Sequence, residues 1–356
     1  AASQPAGGAW SAAEDLSAED AYPPQLAVDR AGDAVVVWAR TAGIVRAAER
    51  PAGGAWGAPR DLSLAGQEAS NPDVAMGPTG SAVAVWERFD GSNYIVQARR
   101  QRVFGGSWGT RFDLSAPGRI EGEFPVQVAL GESGDALAVW VRFDDTGRQI
   151  IQAAREPGAT TWDPAQDLSA PGQNAHYPQV AVDPAGNAVA AWTRSDGSHD
   201  IVQAAGLDAV GPTLSGLSIP THGTAGKRLS FSLASAFDVW SALAGPPHWF
   251  FGDGASAVGN RVTHVFGEGY YTVTVSQGDV AGNQTSSRAG VTIAPAPCVV
   301  PKVVGLTLAR ARAAIKKRHC RSGRVARAFS KKVRRGRVLA QHPRAGKHLA
   351  PGARVT

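Results

Sequence analysis

Residues 71–88 read NPDVAMGPTGSAVAVWER, and the phrase returns three more times in the 356-residue chain: PPQLAVDRAGDAVVVWAR from Pro23, FPVQVALGESGDALAVWVR from Phe124 and YPQVAVDPAGNAVAAWTR from Tyr177. Within each copy apolar residues alternate at a period of two, which is the pattern of a strand. Turn clusters such as Asp29-Arg30-Ala31-Gly32 and Asp183-Pro184-Ala185-Gly186 interrupt the alternation and mark tight hairpins.

Each phrase leads into a second apolar strand, namely GIVRAAER, YIVQARRQ, IIQAAREP or IVQAAGLD. A Gly-containing turn with a Trp and then Asp-Leu-Ser complete the pattern: Trp10 with Asp15-Leu16-Ser17, Trp56 with Asp61-Leu62-Ser63, Trp108 with Asp113-Leu114-Ser115, and Trp162 with Asp167-Leu168-Ser169. A period of about fifty residues with four short strands per unit predicts β-propeller blades over residues 1–206. The opening Ala1-Ala2-Ser3-Gln4-Pro5 matches Ala47-Ala48-Glu49-Arg50-Pro51, the tail of a strand. The chain is therefore expected to start inside a blade, as a fragment at both ends holding about four blades in an open arc or a small, imperfectly closed ring.

Trp38, Trp86, Trp140 and Trp192 end the second strand of each unit, where packing against the next blade is the first expectation and a ligand platform the second. Two positions later stand Arg40, Arg88, Arg142 and Arg194. They read either as a rim that binds carboxylates or glycans, or as hairpin salt bridges repeated with the fold. The turn from Asp183 to Gly186, with Trp192 beyond it, resembles the aspartate-box turns of sialidase-like propellers, but its spacing differs and their enzymatic role is not carried over.

The composition changes after Gly206. Trp249-Phe250-Phe251-Gly252-Asp253-Gly254, then His264-Val265-Phe266 and Gly269-Tyr270-Tyr271-Thr272-Val273-Thr274-Val275, resemble the PKD family over roughly residues 211–294. That resemblance implies an immunoglobulin-like β-sandwich acting as spacer or adhesion module, placed at 207–296. Phe250 stands where the family usually has Asp. From the residues themselves, Asp253 is expected to bond turn amides, Trp249 to lie between two sheets, and Tyr271, Val273 and Val275 to share one strand face.

Residues 297–356 form the third segment. Of the 36 Lys and Arg in the chain, 17 lie between Cys298 and Thr356 with no acidic residue among them, so the rest carries 19 basic residues against all 30 acids. The formal net charge of +6 hides a polarised molecule. Val300-Pro301-Lys302-Val303-Val304-Gly305, a helix opened by Thr307-Leu308 with Leu308, Ala311, Ala314 and Ile315 on one side, and the stretches Gly336–Gly346 and Pro351–Thr356 together resemble the PASTA family. The resemblance implies a small β-α-β-β module that binds peptidoglycan or a related anionic wall polymer, lacking its usual last strand. Candidate wall contacts are Arg310, Arg312, Lys316, Lys317, Lys331, Lys332, Arg334 and Arg335.

Cys298 and Cys320 are the only cysteines, so one intramolecular disulfide is expected, with two buried free thiols as the alternative. Nucleic acid is the rival anionic partner. It is disfavoured because the segment has no zinc spacing, no helix-turn-helix and only Phe329 to stack on a base.

No apolar run approaches the roughly 18 residues of a membrane helix. The eight His form no metal-type pair, no phosphate loop exists, and the Ser of Asp-Leu-Ser reads as a turn cap. No catalytic residue, metal or cofactor is expected. The wealth of Ala, Gly and Arg suggests a bacterium with a GC-rich genome, and the chain as a whole resembles a secreted protein of actinobacterial type. The reading is thus an extracellular, non-catalytic binding or adhesion protein whose repeats present a protein- or glycan-binding surface, and the alternative is the recognition part of a secreted glycan-processing enzyme.

Overall fold

The computed structural model describes residues 11–116 and 125–356; Trp10, the phrase Ala1–Pro5 and Phe124 lie outside the described residues. The chain is mainly β and divides into two compact units, one ending at Val210 and one running from Gly211 to Thr356.

The first unit follows the repeats. Its first sheet holds β1 (Gln25–Val28), β2 (Ala34–Arg40), β3 (Ile44–Arg50) and β4 (Arg60–Asp61); the second holds β5 (Ser70–Met76), β6 (Ala82–Phe89), β7 (Tyr94–Gln101) and β8 (Trp108–Asp113). The third holds β9 (Gln127–Leu130), β10 (Ala136–Phe143), β11 (Gln149–Glu156) and β12 (Gln166–Asp167). The fourth holds three strands, β13 (Ala175–Val182), β14 (Ala188–Ser195) and β15 (Asp200–Leu207). All are antiparallel meanders, and the expectation of four strands per unit fails only in this last sheet.

The second strand of each sheet explains why the sheets stack. Successive side chains point to opposite faces, and in β6 both faces are covered. Ala82, Ala84 and Trp86 pack on Val35, Val37 and Val45 of the first sheet, while Val83 and Val85 pack on Ala136, Ala138 and Trp140 of the third. The third sheet repeats the scheme, turning Leu137, Val139 and Val141 onto Ala188, Ala190 and Trp192 of the fourth. Each Trp thus fills the joint with the preceding sheet, and Trp38 packs with Leu16 and Trp56 on the outer side of the first. Burying one such indole contributes several kcal/mol, judged from Trp-to-Ala losses of about 3–5 kcal/mol.

The first strands β1, β5, β9 and β13 lie against one another in sequence, so the sheets turn about a common axis in a propeller-like arrangement. The turn is tight: Arg30, on the β1–β2 turn, forms an ion pair with Glu132, on the β9–β10 turn two sheets away. Glycine is required at these turns. Gly186 has φ +101°, and a Cβ there would meet the Asp135 carboxylate at 2.4 Å.

In the second unit, a three-stranded sheet of β16 (Thr213–Ser218), β18 (Arg228–Phe237) and β21 (Arg261–Val265) shares one core with a five-stranded sheet. That sheet runs β17 (His222–Thr224), β23 (Gln284–Ala294), β22 (Gly269–Gly278), β19 (His248–Phe250), β20 (Ser256–Val258). Trp249 is buried in this core with Phe231, Phe251 and Phe266, and its indole N–H donates to Gly259 O at 2.9 Å. Val273 and Val275 are buried and Tyr271 packs partly on the same core. Phe250 points outward.

The C-terminal module has helix α1 (Leu308–Lys317), the pair β24 (Cys298–Val299) with β26 (His348–Leu349), and the parallel pair β25 (Arg321–Ser322) with β27 (Arg354–Val355). Thr307 caps α1 by accepting from the Arg310 amide. Ala311 and Ile315 face the core, whereas Leu308, expected beside them, stays 38% exposed at the first turn. A Cys298–Cys320 disulfide lies inside this small core.

Candidate functional site

The C-terminal module concentrates its charge on its outside. Arg310, Arg312, Lys316 and Lys317 are exposed on α1, and Lys331, Lys332, Arg334 and Arg335 are exposed on the irregular segment between β25 and β26. Among the described residues none of the eight enters an ion pair. The fold explains this: the core is small, with Cys298, Val300, Val303, Ala311, Ile315, Cys320 and Val355 buried in it, and the disulfide ties the strand before α1 to Cys320, three residues past the helix. Gln341 is a further organiser that sequence reading missed. Its side chain accepts from Val303 N at 2.7 Å and donates to Pro301 O at 2.8 Å, fixing the chain ahead of α1. Phe329 stands in the same basic segment, almost fully exposed.

The four repeat arginines lie on four separate sheets, all partly buried, so no single site collects them. Arg40 pairs with Glu19 at 2.9 Å and Arg88 with Asp113 at 3.1 Å, while the Arg142 Nε donates to Phe143 O. The acid chosen by Arg88 belongs to the fourth strand of its sheet rather than to the neighbouring hairpin turn. The hairpin acids are held first by their own turn amides, Asp90 by Asn93 and Ser92 and Asp196 by His199 and Ser198, with the charges of Arg88 and Arg194 adding a smaller attraction. In Asp144, a hydrogen bond from the Thr146 hydroxyl, then amides of Arg148, Gly172 and Thr146, hold the carboxyl well below the usual range against partial desolvation.

In the second unit Asp253 does bond a turn amide, that of Ala255, at 3.1 Å. It also meets His264 Nε2 at 2.7 Å, and that imidazole stacks on Phe251 with ring centroids 4.2 Å apart. Desolvation acts to raise the Asp253 carboxyl, yet the His264 and Ala255 hydrogen bonds hold it below its ordinary value.

Two carboxyls in the second sheet have the opposite character. Glu87 is fully buried, and burial pushes it from 4.5 up to about 8, against a 2.9 Å hydrogen bond from Asn71 Nδ2. Asp73 on β5 accepts the Val128 amide of β9 at 2.8 Å, and burial likewise raises it above its ordinary value. The sequence did carry a signal for Glu87: it occupies the position between Trp and Arg that Ala39, Val141 and Thr193 fill in the other units.

Open clefts lie along two successive sheet junctions, each of about 380 Å³. The first is lined by Glu49, Arg60 and Phe104 among others, and the second by Arg100, Phe112 and Glu156. In the second, Arg100 Nε donates to Glu156 at 2.6 Å in a buried ion pair between sheets. In the first, Glu49 accepts from Gln101 Nε2 at 2.9 Å and from the Trp108 indole at 3.1 Å. Glu49 and Glu156 are thus held by donors of the protein itself, and the rings of Phe104 and Phe112 line the two clefts beside them.

Comparison with known proteins identifies one part of the chain: residues 299–356 match the PASTA domain, so a PASTA domain stands at the C-terminus. No curated protein sequence matches the chain. Among solved structures it is similar to a protein of unknown function from Dyadobacter fermentans, at TM-score 0.38 and 11% identity over 76% of this chain and 94% of that one. It is also similar to a Hadza microbial sialidase (TM-score 0.38, 12% identity, 76% of this chain and 65% of that one). A third similar structure is the BP39L lectin of Burkholderia pseudomallei (TM-score 0.38, 15% identity, 80% and 74%).

These findings correct the expectation that the chain is not an enzyme. Most of the similar structures are glycoside hydrolases by name. The search for local motifs could not have excluded one, because a glycosidase draws its two acids from separate strands.

Proposed function

We propose that this chain is the recognition part of a secreted glycan-processing enzyme, held at the bacterial cell wall by its PASTA domain. The observation that carries the reading is the acid-free basic surface of that domain, eight of whose cations are exposed and unpaired among the described residues. Phosphate-bearing wall polymers are extended polyanions, and peptidoglycan peptides carry free carboxylates. A surface with no internal counter-charge attracts them over about a Debye length, roughly 8 Å at physiological salt. Arginine adds bidentate contact with carboxylate or phosphate at the points of engagement.

The disulfide supports an oxidising, extracellular location. The two-sheet segment before it acts as a PKD-type spacer of immunoglobulin-like form, a reading supported by the buried Trp249 and the Gly252-Asp253-Gly254 turn. The clefts lined by Phe104 and Phe112 are where the repeats hold a glycan, a reading supported by the aromatic ring that each contains.

The test is retention of the full chain on purified, insoluble peptidoglycan, beside a K331Q/K332Q/R334Q/R335Q variant. Retention is expected to fall several-fold in the variant. Equal retention would overturn the assignment of the wall contact to this surface.

A further inference from the structure

In the second sheet two arginines stand where its neighbours have small residues. Arg99 on β7 lies opposite Arg111 on β8. The register of the other sheets, carried on by one pair, sets Ala48 level with Pro59 in the first and Ala154 level with Ala165 in the third. Ala154 is buried beside Leu114, from the last strand of the sheet before it. In the preceding joint the corresponding Leu is Leu62, and its carbonyl oxygen meets guanidinium groups: Arg99 Nη1 donates to Leu62 O at 3.2 Å, and Arg111 Nε donates to the same atom at 2.7 Å. One neutral oxygen holds two cations side by side.

The two arginines are held differently. Arg99 is committed to the backbone, its Nε donating to Gly109 O at 2.6 Å, its Nη2 to Trp108 O at 3.0 Å and its Nη1 also to Asp61 O at 3.4 Å. Arg111 makes only its Nε bond, so both of its terminal nitrogens have no hydrogen-bond partner among the described residues. Arg60, on β4 two residues before Leu62, carries the row towards the first cleft, about 7 Å along the strand. Its Nη1 donates to Gly106 O at 3.3 Å, and it lines that cleft together with Phe104.

The acids around this row already have donors. Asp61 accepts from Arg46 Nε at 2.6 Å, Asp113 from Gln97 and Arg88, and Glu49 from Gln101 and the Trp108 indole. In the same unit Arg40, Arg46, Arg88, Arg100 and Arg155 each form an ion pair, whereas among the described residues Arg60, Arg99 and Arg111 form none. Desolvation first, and then the charge of Arg111, act against the charged form of Arg99 and lower its pKa from the ordinary value. Half-buried like charges with no acid between them cost the fold stability, and an anion from outside relieves that cost.

We propose that Arg99 and Arg111, with Arg60 beside them at the first cleft, form an anion site for a carboxylate or phosphate group. The planar fork of a guanidinium matches either oxyanion. Arg99 is the fixed wall of the site, Arg111 supplies the free donors, and the neighbouring joint, with Ala154 and Ala165 in their places, has no counterpart. The site is separate from the exposed cations of the PASTA domain and does not depend on their contact with the wall.

Thermal unfolding of the repeats in the full chain reads the site, with sodium glucuronate and sodium phosphate as probes and with glucose and sodium chloride at matched ionic strength as controls. A ligand that binds only the folded state raises the midpoint in a saturable way. At about four times its dissociation constant, the better oxyanion is expected to raise the midpoint of the repeats by about 2–4 °C, and the controls are expected to leave it in place. Arg111→Gln, which keeps Arg99 and its carbonyl bonds, is expected to abolish the rise, and the K331Q/K332Q/R334Q/R335Q variant to keep it. A larger response to glucuronate assigns the site to a sugar acid, and a larger response to phosphate assigns it to a phosphate-bearing polymer. The wild type gives a second reading that needs no variant: the side-chain Nε–H resonances of Arg99 and Arg111 are expected to shift as the oxyanion is added. An undiminished rise in Arg111→Gln, or a wild type whose midpoint and resonances respond to neither oxyanion, would overturn the proposal.

Discussion

The stacked sheets and the C-terminal module solve the same problem with opposite means. In the second and third sheets the second strand is apolar on both faces, so each of these sheets is clamped between its neighbours, and polar groups that remain inside, such as Glu87 and the Arg100–Glu156 pair, sit in the joints. The module has seven buried core residues, two of them the joined cysteines, and its remaining surface is given over to cations. A domain that is stapled covalently can expose charge that a packed stack has to pair or bury. The difference teaches where to look for function: in the clefts between sheets for the first unit, and over the open surface for the module.

Breaking a sheet joint is the strongest way to test the contrast. Trp140→Ala empties the joint between the second and third sheets and is expected to cost the repeat unit about 3–5 kcal/mol, seen as a lower denaturation midpoint of the repeats with wall retention preserved in the cold. Cys298→Ala with Cys320→Ala releases a loop with a sequence separation of 22 and is expected to cost about 3 kcal/mol. That loss should be confined to the module, with peptidoglycan retention falling on mild heating while the repeat transition stays in place. A single transition that shifted as a whole would break the comparison.

Glu87 sharpens it through pH. Its folded carboxyl keeps a proton that the unfolded chain releases above its ordinary 4.5, so this group makes the repeats less stable as pH rises from about 4.5 to about 8. Glu87→Gln is expected to remove that slope and to stabilise the repeats at pH 8 by on the order of 4 kcal/mol relative to the parent, with little gain at pH 4.5. A thermal melt series across that range checks it; an equal shift at both ends would contradict the buried, protonated state. The smallest effect belongs to the repeated arginines. Arg88→Gln, removing the pair with half-exposed Asp113, is expected to cost no more than about 1 kcal/mol, measured by urea unfolding.

The sheets were legible because alternation and Asp-Leu-Ser each record a local rule: a face per position, and a lock between neighbouring strands, in which the Ser hydroxyl accepts a third-strand amide. The Trp–x–Arg position also showed Glu87 as the one acidic residue in its series. What the one-dimensional pattern could not contain was anything made by two sheets together. The clefts are assembled from the third strand of one sheet and the turn of the next, as Glu49 and Phe104 are, fifty-odd positions apart. Arg88 likewise looks local to Asp90 in sequence, but its partner Asp113 comes from the strand on the far side of β7. In the module, charge and cysteines were readable because they depend on composition. The place of Leu308 was not, because the first turn of α1 extends past the small core that Ala311 and Ile315 occupy.

The central claim, that the acid-free surface of the PASTA domain engages an anionic wall polymer, is tested most directly by the salt dependence of full-chain binding to peptidoglycan. The wild type is expected to bind at least about tenfold more weakly at roughly 0.5 M than at roughly 0.05 M salt, as screening shortens the reach of its cations. The K331Q/K332Q/R334Q/R335Q variant is expected to show weaker binding and a flatter slope. Binding by both proteins that is equally strong and insensitive to salt would contradict the account.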